Sequence, residues 1–489
     1  MAFDFPTSPT NGQEYTFGGV TFVWNGYGWT IKTVTAGGGG ASLTISDTPP
    51  GSPTTGALWW ESDTGILWLY YDDGTSAQWI EIGGGSGSVS KSYVDAVDAN
   101  KVGVDAVQAF SDTQQAQARS NIAAAPFDAM SFNGMQVNGS MEVTQALAPG
   151  TYFQMASGTV YYPADMTFVQ FSHASAVLST GLATVNQGGN VNAVSLYCQT
   201  GSPAMATQGA NDVAQIGHAI EGYRTSRLGW GFSGAVPITI GFWVIATIGG
   251  TMGITIFNQA TNRCYRTLVT PALPANTWVY RTVTIPGDTA GTWNVASLRG
   301  IDIRFLFATG SSNISTNNVW DATTAYPAGV TNFFSAANQY VYMTGLSVLP
   351  GTQAIPLGRL PYLARSFDEE LRLCQRYYEK SYNYTGTVGA ASASDSLSFC
   401  PATSIVNNSV YFTFFFSVRK RGQPTVNVYS YTGAANQLSS ASGTDLGANS
   451  GAPYGPLETN FRLINQSGAT INPGNYAYLS GWVASLRLL

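Results

Sequence analysis

Charge is scarce in this chain of 489 residues. Asp, Glu, Lys and Arg make up 10% of it, against roughly 25% in an average soluble protein. Histidine is scarcer still: His173 and His218 stand far apart, without metal-ligand spacing, so one chain does not build a multi-histidine zinc site from them. The four cysteines, Cys198, Cys264, Cys374 and Cys400, also lack metal spacing. They read as buried free thiols, in keeping with assembly in a reducing cytosol. No basic stripe of the nucleic-acid kind is present. The short run "RKRG" (Arg419, Lys420, Arg421) reads as the solvated end of an apolar strand. No apolar run is long enough for a membrane-spanning helix. The opening "MAFDFPTSPTNGQ" has neither a charged start nor an apolar stretch, so no signal peptide is expected. Nucleophile elbow, zinc-protease, P-loop and dinucleotide fingerprints are all missing. No metal, no cofactor and no enzymatic activity are expected.

What is present is glycine (55 residues), aromatic side chains (13%) and many Ser, Thr and Asn. That mixture favours short strands joined by turns, so the fold class is mainly β. Length alone suggests about three domains. The acidic excess lies early, with 12 acidic and 4 basic residues in 1–125.

Two small modules open the chain, residues 1–35 and 43–83. Each begins with Ser-Pro-Thr-x-Gly (Ser8 to Gly12, Ser52 to Gly56), continues through aromatic strands and closes on a tryptophan, Trp29 or Trp79. This is a degenerate repeat of β-hairpin modules, each with few apolar residues for a core of its own. Trp24, Trp29, Trp59, Trp60, Trp68 and Trp79 are therefore candidates for packing between chains or for attachment to a larger assembly. Residues 84–126 are a Gly/Ser linker and a helical stalk. Val94, Val97, Lys101 and Val104 form a thin apolar seam, too weak alone and reasonable as a short coiled coil.

Residues 127–357 read as a jelly-roll-like β-sandwich. In "GIDIRFLFA", Ile301, Ile303, Phe305 and Phe307 share one face, and Asp302 and Arg304 share the other. Asp302 is expected to face solvent or Arg304. Residues 358–384 hold a connector helix, with Ser366 and Glu369 in capping-box spacing and a stripe of Phe367, Leu371, Cys374 and Tyr378. Residues 385–489 are again strand-rich and carry a long polar loop over 432–458. They read as a distal β-rich head.

Several segments resemble parts of bacteriophage tail fibres and receptor-binding proteins. "SDTPPGSPTTGALWWESDTGILWLYYDDGTSAQWIEI" is similar to a module of such fibres, and "FSDTQQAQARSNIAA" to an element found after fibre stalks. "NGMQVNGSMEVTQ", "ANTWVYRTVTIPGDTAGTWN" and "SFDEELRLCQRYYEKSY" resemble their central sandwich and following helix. Together these touch most of residues 1–385. The resemblance implies a homotrimeric virion fibre assembled in the bacterial cytoplasm. Its N-terminal part would be held by other tail or virion proteins, and its C-terminal part would reach a host glycan or outer-membrane receptor. It also implies a sandwich like a carbohydrate-binding module. No catalytic residue carries over, and no nucleic acid or membrane insertion is implied.

Sugar rings stack on aromatic rings while their hydroxyls pair with amides and acids. Candidate receptor contacts are therefore Trp320, Asp321 and Tyr326 in "NNVWDATTAYP", and Tyr431, Asn436, Gln437, Asp445, Asn449 and Tyr454 in the distal loop. Two other readings stay open at this level. One is a purely structural collar, head or neck fibre. The other is a glycan-cleaving tailspike using two of Glu221, Asp302 and Asp321, with Glu221 more simply paired to Arg224 or Arg227.

Overall fold

The computed structural model describes residues 5–17, 20–32, 43–82, 112–121, 134–147, 150–184, 194–258, 260, 262–352, 365–391, 397–400, 404–406, 410–467 and 470–488. The protein is mainly β, with several antiparallel sheets. It divides into two compact units, Met1–Ser111 and Asp112–Leu489. The stalk seam of Val94, Val97, Lys101 and Val104 lies outside the described residues.

In the first unit the repeat is a repeat in geometry as well. Glu14–Phe17, Val20–Trp24 and Trp29–Ile31 form one small sheet; Leu43–Ser46, Leu58–Glu61, Ile66–Asp72 and Ala77–Glu81 form the other. Gly12 N–H donates to Trp24 O at 2.7 Å, and Gly56 N–H donates to Tyr70 O at 2.8 Å. Both glycines sit at φ 85°, a backbone conformation open to glycine at little cost. Ser-Pro-Thr-x-Gly is thus a shared entry turn.

The second module shelters part of its own aromatic surface. Trp59 is 3% exposed, stacks on Trp68 at 6.0 Å and meets Trp79 edge-on at 5.6 Å. Its indole N–H donates to Ser46 O at 3.0 Å, on the strand Leu43–Ser46, which runs parallel to Leu58–Glu61. Within the first module, Trp24 lies 5.7 Å from Trp29, which Phe5 covers at 5.2 Å. The opposite face of the second module stays open, with Leu43, Ile45, Trp60 and Ile80 exposed.

The second unit begins with a helix, Asp112–Asn121, and is dominated by a sandwich of a seven- and a six-stranded sheet. The seven-stranded order is Trp320–Asp321, Cys264–Leu268, Gly253–Phe257, Arg299–Thr309, Val213–Glu221, Thr167–Ser172, Val160–Ala164. The six-stranded order is Val279–Ile285, Ile238–Ala246, Tyr340–Pro350, Val194–Thr200, Leu178–Thr184, Tyr152–Met155. Ile301, Ile303, Phe305 and Phe307 enter the shared core as their alternation predicts, and Phe305 meets Phe242 of the facing sheet at 4.9 Å.

His218 is buried in the sandwich, with Nδ1 3.0 Å from Thr167 Oγ1. Burial holds its imidazole down at about 4. Its folded value lies below its unfolded one, so its contribution is complete above the usual histidine range and fades as pH falls toward 4. Between pH 7.5 and 5 the wild type should therefore lose about 2 kcal/mol of sandwich stability from this residue. Urea unfolding at the two pH values, compared with His218→Met, checks this; equal losses in both proteins would refute it.

The outer face of the seven-stranded sheet is covered. Of the two placements the sequence offers Asp302, solvent and Arg304, the second holds: Asp302 is fully buried, bonded by Arg304 at 2.7 Å and also by Arg299 at 2.8 Å. Arg304 in turn lies 4.7 Å over the Phe168 ring. Val137, Val143, Met166 and Ala219 pack here against Cys374, Tyr377 and Leu488 from the C-terminal third.

The connector helix is shorter than its sequence pattern predicts. It spans Phe367–Gln375, with Ser366 Oγ accepting from Glu369 N–H as the capping box requires. Tyr378 is not on it: Tyr378–Lys380 is a strand paired with Gly481–Ser485, so sheet pairing overrides the helical stripe. Among the described residues the C-terminal module holds three three-stranded sheets around Val428, Leu438, Phe461, Leu463, Leu479 and Trp482. The "RKRG" run is not a solvated strand end. Lys420 is fully buried, and Arg421 donates to Leu486 O, Arg487 O and Ser297 O, binding the C-terminal strand to the sandwich. Only Arg419 of the three is exposed. Cys198, Cys264 and Cys374 are buried as expected, whereas Cys400 is exposed.

Candidate functional site

The outer face of the six-stranded sheet is covered only in part: Thr344, Leu349 and Trp243 are buried there, with Thr344 Oγ1 donating to Ser140 O at 3.0 Å, while Tyr152 stays exposed. Alternation sends Phe153, Leu196, Cys198, Val341, Met343, Phe242 and Val244 toward the core side. The neighbours Tyr152, Tyr197, Tyr340, Tyr342 and Trp243 then stand outward. Register aligns them into a row. Tyr152 lies opposite Gly181, Gly181 opposite Tyr197, Tyr197 opposite Tyr342, and Tyr342 opposite Ile245. Ring centroids are 5.1 Å apart for Tyr152 and Tyr197, 4.9 Å for Tyr197 and Tyr342, and 6.4 Å for Tyr342 and Trp278. Tyr340 flanks the row, 5.1 Å from Tyr342.

Gly181 is what lets the row close. A β-carbon there would lie 2.9 Å from the Tyr152 ring and 2.4 Å from Thr151 O. A larger residue would push Tyr152 off its neighbour. The three centroid separations bound the row at about 16 Å from end to end on a sheet whose strands lie about 4.8 Å apart, the scale of a short oligosaccharide.

The outward positions of these strands carry no charged residue. Around the rings stand Gln154, Ser179, Gln199, Thr282 and Thr284, all at least partly exposed. Tyr340 Oη donates to Asn276 Oδ1 at 3.1 Å, and Tyr197 Oη donates to Gln199 Oε1, which fixes both phenols. Tyr152 is 52% exposed, and Tyr197, Tyr340, Tyr342 and Trp278 are half-buried. Burial raises the Tyr197 and Tyr342 hydroxyls, keeping them protonated as donors.

A smaller aromatic set lies in the C-terminal module. Tyr431 and Tyr478 lie 5.3 Å apart and Tyr478 and Tyr476 6.1 Å apart, at interplanar angles of 31° and 34°. Tyr476 is exposed. Beside them Asp445 accepts from Thr432 Oγ1 at 2.5 Å and Ser439 Oγ at 2.8 Å. Partial burial acts to raise this carboxyl, but these hydroxyls outweigh it and hold it low.

The candidates named from sequence separate into two places and several roles. Trp320 turns its ring onto Trp230, Trp293 and Tyr265, at 5.4, 5.6 and 5.2 Å, and donates to Pro286 O. Asp321 pairs with the fully buried Arg266. Tyr326 Oη accepts from Gln215 Nε2 at 3.2 Å. These three hold the edge of the covered sheet. In the distal loop Tyr431 and Asp445 are joined through Ser439 Oγ, which accepts from Tyr431 N–H at 2.9 Å and donates to Asp445 at 2.8 Å. Asn436 and Asn449 shape turns at φ 57° and 60°. Gln437 is half-buried beside them, and the exposed Tyr454 ring lies 5.0 Å from the Arg462 guanidinium. The sequence reading missed Tyr152, Tyr197, Tyr342, Trp278, Tyr476 and Tyr478; strand alternation around Tyr340 and Tyr342 was the available signal.

The carboxylates considered for glycan cleavage are all held by arginine. Glu221 pairs with Arg376 at 2.7 Å, not with Arg224 or Arg227 as its sequence neighbours suggested, and accepts from Tyr377 Oη at 2.7 Å. No group of three or more His, Cys, Asp or Glu among the described residues is arranged to hold a metal ion. No described helix is long and apolar enough to cross a membrane.

Fold and surface together define a mainly β, multidomain protein with β-sandwich character. No family model matches the chain, and no curated protein matches it. Among solved structures it shows similarity to a xylan-binding carbohydrate-binding module from Paenibacillus barcinonensis, at 11% identity and TM-score 0.22, covering 44% of this chain and 97% of that one. A family 11 carbohydrate-binding module from Clostridium thermocellum, in complex with a mixed-linked tetrasaccharide, gives 8% identity and TM-score 0.22, covering 42% and 98%. The enzymatically active domain of tailspike protein 4 of bacteriophage CBA120 gives 10% identity and TM-score 0.22, covering 46% of this chain and 22% of that one. The chain spans a quarter of a xylanase and a third of an arabinofuranosidase that it also matches. Likeness at this level bears on neither ligand nor activity.

Proposed function

We propose that this chain is an adsorption fibre of a bacteriophage. In this reading it is a homotrimeric virion component that binds uncharged glycan on the host surface without cleaving it. The observation that carries the binding role is the row Tyr152–Tyr197–Tyr342–Trp278, an aligned aromatic surface with hydroxyl and amide groups around it and no charge. Aromatic faces bind the apolar faces of sugar rings, and fixed phenols and amides bind their hydroxyls. The phage context rests on the resemblance of the modules, sandwich and helix described from sequence. The open apolar face of Leu43, Ile45, Trp60 and Ile80 supports self-association or attachment at the N-terminal end. Three copies per fibre would turn weak sites into firm adsorption through effective concentration.

The test is binding of the full chain to purified host polysaccharides, neutral and acidic, at low and high salt. Saturable binding to a neutral glycan, unchanged by salt and without release of reducing ends, is expected. Surface charge contacts would be screened by salt, so strongly salt-sensitive retention would sink the sheet-face assignment. Release of reducing ends would sink the non-enzymatic reading.

A further inference from the structure

The C-terminal module carries a carboxylate that no cation neutralises. Between residues 386 and 486 the basic residues are Arg419, Lys420, Arg421 and Arg462, and each is engaged elsewhere. Arg419 pairs with Glu458, and Lys420 with Glu379. Arg421 donates to the carbonyls of Ser297, Leu486 and Arg487. The Arg462 guanidinium lies over the Tyr454 ring. Asp445 is half-buried, and its carboxylate is bonded by the hydroxyls of Thr432 and Ser439. No ion pair reaches it among the described residues. Hydroxyls orient the charge without cancelling it. Partial burial acts to raise this carboxyl and the hydroxyls outweigh it, so it remains an anion near neutral pH.

An aromatic surface borders this charge. Ala477 and Leu479 are fully buried, so the alternating Tyr476 and Tyr478 turn outward. Tyr478 lies opposite Ser439, the residue whose hydroxyl holds Asp445, and residues opposite each other in a strand pair share one face. Tyr431 completes the set, with its ring 5.3 Å from Tyr478. Successive rings are tilted by 31° and 34°, against 47° to 71° along the sheet-face row. The shallower tilt suits one sugar ring lying across two tyrosines. Exposed hydroxyls of Ser442 and Thr444, 3.3 Å apart, stand in the turn that leads to Asp445. A cation held at an aromatic face is drawn by the ring quadrupole and, here, by the carboxylate as well.

We propose that this surface is a binding site for a sugar carrying a protonated amine, with Tyr476 and Tyr478 beneath the ring and Asp445 holding the ammonium. It goes beyond the uncharged glycan assigned to the sheet face and does not depend on it.

The probes are a tetrasaccharide of glucosamine and its N-acetylated counterpart, titrated calorimetrically into the full chain at low and high salt, at a pH where the amine is protonated. Saturable binding of the amino tetrasaccharide is expected, tighter than that of the acetylated one and weakened by salt. Asp445→Asn keeps an acceptor for the hydroxyls and removes the charge; it should weaken amine binding about tenfold or more, the scale of a charge-assisted contact. Tyr476→Ala, which removes an exposed ring, should weaken it about fivefold, the scale of an aromatic contact, and it decides the matter if Asp445→Asn melts below the wild type. Equal affinity for the two tetrasaccharides, no saturable binding of the amino one, or affinity unchanged in these variants overturns the proposal. Tyr342→Ala should leave amine binding unchanged; a loss there would place the amine on the sheet face and overturn it too. Amine binding that persists where neutral glycan fails to bind would count against the sheet-face reading alone.

Discussion

Glu379→Ala is expected to lower the stability of the C-terminal module by about 3–5 kcal/mol, the usual cost of removing one partner from a buried ion pair. Lys420 and Glu379 are both buried and bonded to each other. Lys420 Nζ also donates to Gln375 O, and Glu379 Oε1 accepts from Ser417 N–H at 2.8 Å. Burial already pulls the Lys420 ammonium down, and Glu379 is what opposes that pull. Without the carboxylate, the lysine must either stay charged in a poor medium or lose its proton. Either outcome weakens the hold of the 417–421 segment, through which Arg421 fastens the last strand to the sandwich. The double substitution Glu379→Leu with Lys420→Met removes both charges and should recover most of the loss, because the penalty comes from the orphaned ion. Urea midpoints followed by tryptophan fluorescence measure both. A single variant as stable as the wild type would show that the pair contributes nothing.

This pair also marks the limit of what the sequence alone discloses. Local periodicity reads well. The alternation of Ile301, Ile303, Phe305 and Phe307, the Ser366 cap and the Ser-Pro-Thr-x-Gly turns all appear in the structure where their patterns place them. Those signals depend on residues within a few positions of each other. The fate of a polar face depends instead on what docks against it. Asp302 and Arg304 look like a solvated stripe, and "RKRG" like a charged strand end, until the C-terminal segment closes over them. The candidate site is harder still to see. Tyr152, Tyr197 and Tyr342 come from three separate strands, and only the register of three pairings and a glycine at 181 bring them into one row. Tyr476 and Tyr478 sit inside "NYAYLSGW", which reads simply as an alternating strand. Trp320, by contrast, looks like a sugar platform in a loop and is drawn inward by three other aromatic rings.

Replacing both Tyr197 and Tyr342 with alanine should reduce affinity for a neutral glycan about 100-fold, if each aromatic contact contributes about 1.4 kcal/mol, within the range seen for aromatic pairs. Both rings stand outside the sandwich core, which is filled from the other side of the same strands by Leu196, Cys198, Val341 and Met343. The double variant should therefore fold, and near-ultraviolet circular dichroism with a melting curve checks that. Tyr476→Ala provides the comparison, since it removes an exposed ring from the smaller distal set and leaves the row intact. If adsorption runs through the sheet face, the double variant loses retention on host polysaccharide while Tyr476→Ala keeps most of it. The reverse pattern would move the receptor site to the C-terminal module. Retention unchanged in both would leave the chain as a structural fibre whose aromatic surfaces serve packing. Gly181→Val adds a geometric control: it touches no ligand directly, yet by displacing Tyr152 it should weaken binding in the same direction and to a smaller degree.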